Sequence, residues 1–327
     1  MEHRNLGKTG LKVTPLCLGT MQFGWTADED ASLKILTRAV EAGINFIDSA
    51  DVYSRWAAGN PGGIAEGIIG KWLGMKIVPR DQLVLATKVR GRMGEGPNEQ
   101  GLSRLHITEA VKNSLRRLGT DYIDLYQTHS VDPDTPIEES LRALDDLVHQ
   151  GWVRYVGCSN YPAWRLMQAL WCSDRIGQEG FVCLQPEYSL LARQPFEQEL
   201  EQVCMAYGLG VIPYSPLARG FLTGKYRKGE PPPPDGRLAG SPRLDQYARE
   251  DRVWEVVGSL EALARKQGTT TSQLALGWLL HRPSVTSPII GPRSLEQLED
   301  NLGALQVRLD PQEIQQLDQV SGWMSPR

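Results

Sequence analysis

The chain has 327 residues, 41% hydrophobic and 23% charged, enough to bury one large core or two smaller ones. Lys and Arg number 35 against 39 Asp and Glu, a net charge of -4, so no bulk field draws in nucleic acid or an anionic membrane. The expected partner is a small molecule.

The opening MEHRNLGKTG lacks an apolar core of signal-peptide length, and no later run reaches the roughly 18 apolar residues of a membrane span. Cys17, Cys158, Cys172, Cys183 and Cys204 are odd in number, form no C-x-x-C, and mostly sit in apolar runs, as reduced cytoplasmic thiols do. RNLGKTGLKV predicts a short hairpin turning at Lys8, Thr9 and Gly10, which in a barrel covers the N-terminal end.

Eight β-rich runs follow: PLCLGT, INFIDSA, LVLATKV, YIDLYQTH, YVGCSN, VCLQPEYS, GVIPYSP and TSPIIGP. Their starts are mostly spaced by about one strand, one helix and two loops, the cadence of parallel βα units. Amphipathic helical patterns lie between them: SLKILTRAVEAG, AEGIIGKWLG, ITEAVKNSLRRLG, IEESLRALDDLVHQG and PFEQELEQVCMAYG. The expected fold is an α/β (β/α)8 TIM barrel over residues 1–327, with the hairpin cap, extra helical pattern around VWEVVGSLEALARKQG, and further helix near the C-terminus. An open doubly wound sheet that binds a dinucleotide needs G-x-G-x-x-G after its first strand, and none is present. GFLTGK falls one residue short of a Walker A loop. KGEPPPPDGRLAGSPR, Lys228 to Arg243, is expected to be a mobile loop without regular structure.

Barrel active sites form where the strands end. Here those ends carry Asp48 with Tyr53 just beyond, Lys88, His129, Ser159 and Asn160, Gln185, and Tyr214 with Ser215. An acid, a phenol, an ammonium and an imidazole on three consecutive strands answer one demand. Reduction of a carbonyl by hydride creates an alkoxide, which needs a proton donor and nearby positive charge. Tyr53 is the expected acid, Lys88 the charge that lowers its pKa, Asp48 the partner that holds Lys88, and His129 the group that orients the carbonyl or relays the proton. Asp51 is expected to face solvent or cap the loop. No metal site is expected, because the five histidines lack ligand-spaced partners.

The stretches LCLGTMQFG, GINFIDSADVY, LATKV, DYIDLYQTH, VGCSN, LQPEYSLL, YSPLARGFLTGKY and IIGPRSLEQLEDNLGAL, in this order, resemble the aldo-keto reductase superfamily. The resemblance implies a barrel that binds NADP(H) extended, without a Rossmann motif, and reduces aldehydes or ketones. It matches Asp48, Tyr53, Lys88 and His129 to the family's catalytic tetrad. It places Ser159, Asn160 and Gln185 on the nicotinamide carboxamide and Tyr214 under its ring. It puts Thr20 and Met21 along the cofactor as well. SPLARG supplies Ser215, Pro216, Leu217, Ala218, Arg219 and Gly220, with Lys225 beyond, to the pyrophosphate. Gly291, Arg293, Gln297, Asp300 and Asn301 correspond to the adenosine end, with Arg293 on the 2′-phosphate and hence NADPH over NADH. Trp25 and Trp56 hint at apolar or aromatic carbonyl substrates.

Two other classes fit parts of the pattern. Potassium-channel β subunits resemble the superfamily and keep the cofactor residues while departing at the tetrad histidine; His129 is present here. A barrel glycosidase would use paired carboxylates such as Asp48 and Glu187, which leaves Lys88 and Tyr53 without a task.

Overall fold

The computed structural model describes residues 1–233, 236, 238 and 241–322. An antiparallel pair, β1 (Arg4–Asn5) and β2 (Lys12–Val13), precedes eight parallel strands. These are β3 (Cys17–Gly19), β4 (Phe46–Asp48), β5 (Val84–Val89), β6 (Ile123–Thr128), β7 (Val153–Ser159), β8 (Cys183–Gln185), β9 (Gly210–Val211) and β10 (Ile289–Ile290). They neighbour one another in chain order, and β10 returns to pair with β3. The amides of Thr286 and Ile289 donate to the Val211 and Pro213 carbonyls, each at 2.8 Å, which closes the ring between β9 and β10. All eight expected runs carry a strand, and the architecture is the expected (β/α)8 barrel.

The barrel interior is layered by the two-residue period of a strand. Phe46, Ala86, Leu125 and Cys183 form an apolar layer, closed toward the N-terminal end by Leu6 and Val13 of the hairpin segment. Two residues further along the same four strands stand Asp48, Lys88, Gln127 and Gln185, all buried. Alternation alone therefore puts a polar layer directly above the apolar plug. The hairpin covers the opposite end as expected: the Lys8 amide donates to the Gly208 carbonyl at 2.8 Å, and the Asn45 side chain accepts from the Thr14 amide at 2.9 Å.

The surrounding helices follow local signals. Asp28 caps Glu29–Glu41 by accepting from the Ala31 amide at 2.8 Å, and Ile35, Leu36 and Ala39 turn inward. Gly119, in the left-handed region at φ 62°, ends Arg104–Leu118. The PFEQELEQVCMAYG pattern is broken into Gln194–Glu197 and Leu200–Tyr207. The helix Asp251–Gln267 and the C-terminal pair Leu295–Gly303 and Pro311–Val320 supply the expected extra helices.

One boundary needs correcting. Pro242 and Arg243, assigned to the irregular loop, begin the helix Pro242–Arg249, with the Ser241 side chain accepting from the Arg243 amide at 3.3 Å. Proline suits a first helical position because its missing N–H has no intrahelical partner to lose. Within the rest of that loop, residues 234, 235, 237, 239 and 240 lie outside the described set. Among the described residues no helix is long and apolar enough to cross a membrane.

Candidate active site

At the C-terminal mouth of the barrel the Lys88 ammonium is fully buried and has three partners. It donates to Asp48 Oδ2 at 2.5 Å, to the Ser49 carbonyl at 2.8 Å and to the Tyr53 hydroxyl at 2.9 Å. Asp48, also buried, accepts on its other oxygen from Gln127 Nε2 and Gln185 Nε2, both at 3.0 Å, while Gln185 Nε2 also approaches Gln127 Oε1 at 3.1 Å. Both carboxylate oxygens are engaged, so its position is over-determined. The His129 ring stands edge-on to Tyr53 with centroids 5.9 Å apart. The four expected catalytic side chains thus converge on one point.

Electrostatics divide their roles. Burial works against the Lys88 charge, but Asp48 and then Tyr53 overcome it, and the ammonium is held above its ordinary range. Tyr53 departs from expectation: burial raises its pKa more than Lys88 lowers it, with Asp48 adding to the rise, so the net direction is upward. The phenol therefore holds its proton at neutral pH. His129 is pushed down to about 3, first by burial and then by the positive charges of Lys88 and Arg90. Its imidazole is neutral across the physiological range, which makes it a hydrogen-bonding group rather than a proton source.

From Tyr53 a cleft of about 500 Å³ runs across the mouth toward the helix Leu295–Gly303. Of the expected cofactor contacts, Met21, Asp48, Ser159, Asn160, Gln185, Tyr214, Ser215, Pro216, Leu217, Arg219, Gly220, Lys225, Gly291, Arg293, Gln297, Asp300 and Asn301 line it. Two do not. Thr20 is buried with its hydroxyl donating to the Asp48 carbonyl at 3.0 Å, which braces β3 on β4, and Ala218 turns inward among core residues. Asp300 lines the cleft with one carboxylate oxygen, Oδ1, already accepting from the Thr270 hydroxyl at 2.7 Å and Gln273 Nε2 at 3.1 Å.

Near Tyr53 the cleft wall is a relay of hydrogen bonds. The Tyr214 hydroxyl donates to Asn160 Oδ1 at 2.8 Å, Asn160 Nδ2 donates to the His129 carbonyl and to Ser159 Oγ, each at 2.9 Å, and the Ser159 hydroxyl donates to the Gln185 carbonyl at 2.8 Å. Asn160 holds a left-handed backbone, φ 57°, to reach both sides.

In the middle, Ser215, Ala218, Arg219 and Gly220 all have positive φ, from 48° to 94°. Such a run of left-handed residues curls backbone N–H groups around a concavity suited to anions. Arg219 Nε is buried there without a hydrogen-bond partner. That orphaned donor, with Lys225 and Arg293 on the same wall, fits a pyrophosphate and a further phosphate.

Some positions fall elsewhere than expected. Asp51, expected at the surface, is completely buried, because the turn that lifts Tyr53 to the mouth presses Asp51 against the side of Glu66 and Arg117. Glu187 bridges to Arg243. Trp25 and Trp56 flank the mouth, part-exposed and packed edge to face at 5.6 Å. Gln127 was not singled out in the sequence; its only signal was a polar side chain inside a strand two residues before His129.

A model of the Aldo/keto reductase family matches residues 15–321. The chain is 38% identical to an uncharacterized oxidoreductase, YrpG, of Bacillus subtilis, over 98% of this chain and 96% of that one. It is 37% identical, with the same coverage of each, to a probable voltage-gated potassium channel subunit beta of Arabidopsis thaliana. It is 35% identical, again with that coverage, to the versiconal hemiacetal acetate reductase of Aspergillus parasiticus.

Proposed function

This chain belongs to the aldo/keto reductase family, and we propose that it reduces aldehydes or ketones to alcohols with NADPH, with Tyr53 as the proton donor. The observation that carries this reading is the buried Lys88 ammonium, 2.9 Å from the Tyr53 hydroxyl and 2.5 Å from Asp48. NADPH, when bound, supplies the hydride. Everything else is the work of this chain's own side chains.

The neutral His129 imidazole hydrogen-bonds and orients the substrate carbonyl beside Tyr53. As charge builds on the carbonyl oxygen, the Tyr53 proton moves to it, and the phenolate left behind is stabilised by Lys88. Asp48 keeps Lys88 in place, with Gln127 and Gln185 keeping Asp48 in place. Tyr214 and the Asn160 amide define a flat wall and a polar edge suited to a nicotinamide ring and its carboxamide. The substrate partner is a small carbonyl compound, and the buried, unpaired cysteines accord with a reducing cytoplasm. The test is NADPH oxidation against a diverse panel of aldehydes and ketones. Wild-type turnover on none of them overturns the reading.

Two expected results belong to this reading. Because His129 is already neutral, the pH profile of kcat/KM should show no limb assignable to it near its ordinary value of about 6.5. A limb there that vanishes in His129→Gln contradicts the assignment. Arg293→Ala removes a guanidinium from the adenosine end of the cleft and should raise KM for NADPH about tenfold, leaving that for NADH unchanged. Steady-state kinetics with both cofactors check this.

A second reading, a catalytically weak NADP(H)-binding subunit, is favoured by the 37% identity to the plant channel protein. It predicts tight NADPH binding with no turnover on any carbonyl of the panel, and the intact tetrad with His129 speaks for catalysis.

A further inference from the structure

Arg90, the first residue beyond β5, has φ 135°, a backbone region that favours glycine and strains a residue with a long side chain. Its neighbours hold the main chain in that state. The Arg90 carbonyl accepts from the Gly101 amide at 3.0 Å, and Gly91 lies so close to Val52 of the Tyr53 turn that an added Cβ would come within 2.6 Å of it. Just before Arg90, the Lys88 carbonyl accepts from the Asp51 amide at 3.2 Å and the Val89 carbonyl from the His129 amide at 2.9 Å. Arg90 is therefore fixed between the turn that carries Tyr53 and the strand end that carries His129.

The side chain is held there unpaired. Among the described residues the half-buried Arg90 guanidinium makes no hydrogen bond or ion pair: Nε is shut off from solvent and unsatisfied, while the two terminal amino groups keep solvent access. Asp132, an acid that feels its charge, is committed to its own loop. Oδ2 of Asp132 accepts from the Leu102 amide at 2.6 Å and the Thr135 hydroxyl at 2.8 Å, and Oδ1 from the Asp134 amide at 3.1 Å. In the segment that follows Arg90, Glu95 lies 3.6 Å from Arg55, and Glu99 accepts from the Gly96 amide at 2.6 Å. Arg55 and Arg92 donate to the Arg92 and Gly94 carbonyls. The charge of Arg90 bears on His129, whose imidazole it helps to keep neutral.

An unsatisfied buried donor and a strained main chain both oppose folding, so stability does not account for this arginine. Its position does. Arg90 lies outside the residues that line the cofactor cleft, yet it adjoins His129 at the catalytic end of that cleft. A planar fork of N–H groups beside the imidazole that orients the carbonyl suits an oxyanion on the same substrate. One open guanidinium, with Arg55 and Arg92 occupied, matches the single charge of a carboxylate better than the nearly double charge of a phosphate.

We infer that Arg90 is a specificity-determining residue that selects carbonyl substrates bearing a carboxylate, its terminal amino groups donating to the carboxylate oxygens while His129 and Tyr53 hold the carbonyl. This selection, which rests on the reduction proposed above, narrows the substrate class to oxo acids.

Steady-state kinetics with NADPH on two matched pairs test it: glyoxylate against its methyl ester, and para-carboxybenzaldehyde against its methyl ester. The acids place the carboxylate next to the carbonyl or far from it, and each ester removes only the charge. In at least one pair kcat/KM should favour the acid about tenfold or more, and Arg90→Met should remove most of that preference. Arg90→Lys, which keeps the charge and loses the fork, should retain part of it. General damage to the fold lowers both members of a pair alike, so the ratio reports on Arg90, and the wild-type ratio decides if neither variant folds. Glyceraldehyde phosphate should be a poorer substrate than the preferred acid.

Binding is read separately, by calorimetric titration of the NADPH-saturated chain with para-(hydroxymethyl)benzoate, the alcohol product of the second acid. Its dissociation constant should rise about tenfold in Arg90→Met. No preference for the acid in either pair, an acid-to-ester ratio unchanged in Arg90→Met, or a preference for the phosphorylated aldehyde overturns the role of Arg90 and leaves carbonyl reduction standing. Turnover of no member of either pair counts against carbonyl reduction itself; the titration then decides on Arg90, and equal affinity in wild type and variant overturns its role.

Discussion

Tyr53→Phe, which deletes a single oxygen, should lower kcat for carbonyl reduction by about 10²- to 10⁴-fold, the usual contribution of a positioned general acid. NADPH affinity should be unchanged, because Tyr53 meets the cleft only at its catalytic end. The size of the effect follows from the surroundings. The hydroxyl is buried, its proton is retained because burial outweighs the lowering influence of Lys88, and no second acid is at hand, since the nearby imidazole is neutral. Single-turnover reduction monitored at the nicotinamide absorbance separates chemistry from binding. Wild-type kcat in the variant would remove Tyr53 from the mechanism.

Lys88→Met should be costly twice over. It removes the charge that stabilises the Tyr53 phenolate, so kcat should fall by about 10²- to 10³-fold, comparable with losing one preorganised electrostatic donor. It also leaves Asp48 buried with only Gln127 and Gln185 on one oxygen, and stranding one partner of a buried ion pair costs about 3–5 kcal/mol. The urea midpoint should drop accordingly. The double variant Asp48→Asn, Lys88→Met should recover most of that stability and none of the activity, which separates the structural role of the pair from the chemical one. A stable single variant with reduced kcat would leave the electrostatic role intact and refute the structural one. Lys88 is held above its ordinary value, so the stability it contributes is complete below about pH 10.4, the unfolded lysine value, and is lost only as pH rises beyond that. Through neutral pH the pair should add no pH dependence to unfolding.

The strands were legible because a buried parallel strand is a short apolar run between turn residues, and eight such runs at βα spacing leave few topologies. The helix Ala163–Ile176 was not legible for the opposite reason. Trp164 and Trp171, 67% and 58% exposed, put aromatic rings on its outer face and blur the amphipathic stripe that marks a surface helix. The end of the proline-rich segment is ambiguous in sequence because proline breaks a helix in its interior but opens one at its first position, and only the Ser241 cap distinguishes the cases. The burial of Asp51 is not legible locally, because a charged residue beside a loop is ordinarily solvated and its surroundings, Glu66 and Arg117, are brought up by helices that follow it in the chain.

By itself the sequence determined which chemical groups stand at the strand ends and in what order, since strand positions and a two-residue side-chain period are local properties. Only the tertiary structure decided which of them meet. Lys88 and Asp48 lie 40 residues apart and share a proton donor's environment because β4 and β5 pair with Asp48 opposite Ala86, which sets Lys88 on the same inward face two residues higher. The same register logic brings Gln127 beside Lys88 and Gln185 beside Ser159. The balance at Tyr53, where burial prevails over an adjacent ammonium, likewise depends on how completely the closed barrel excludes water, and exclusion of water is a property of the assembled molecule.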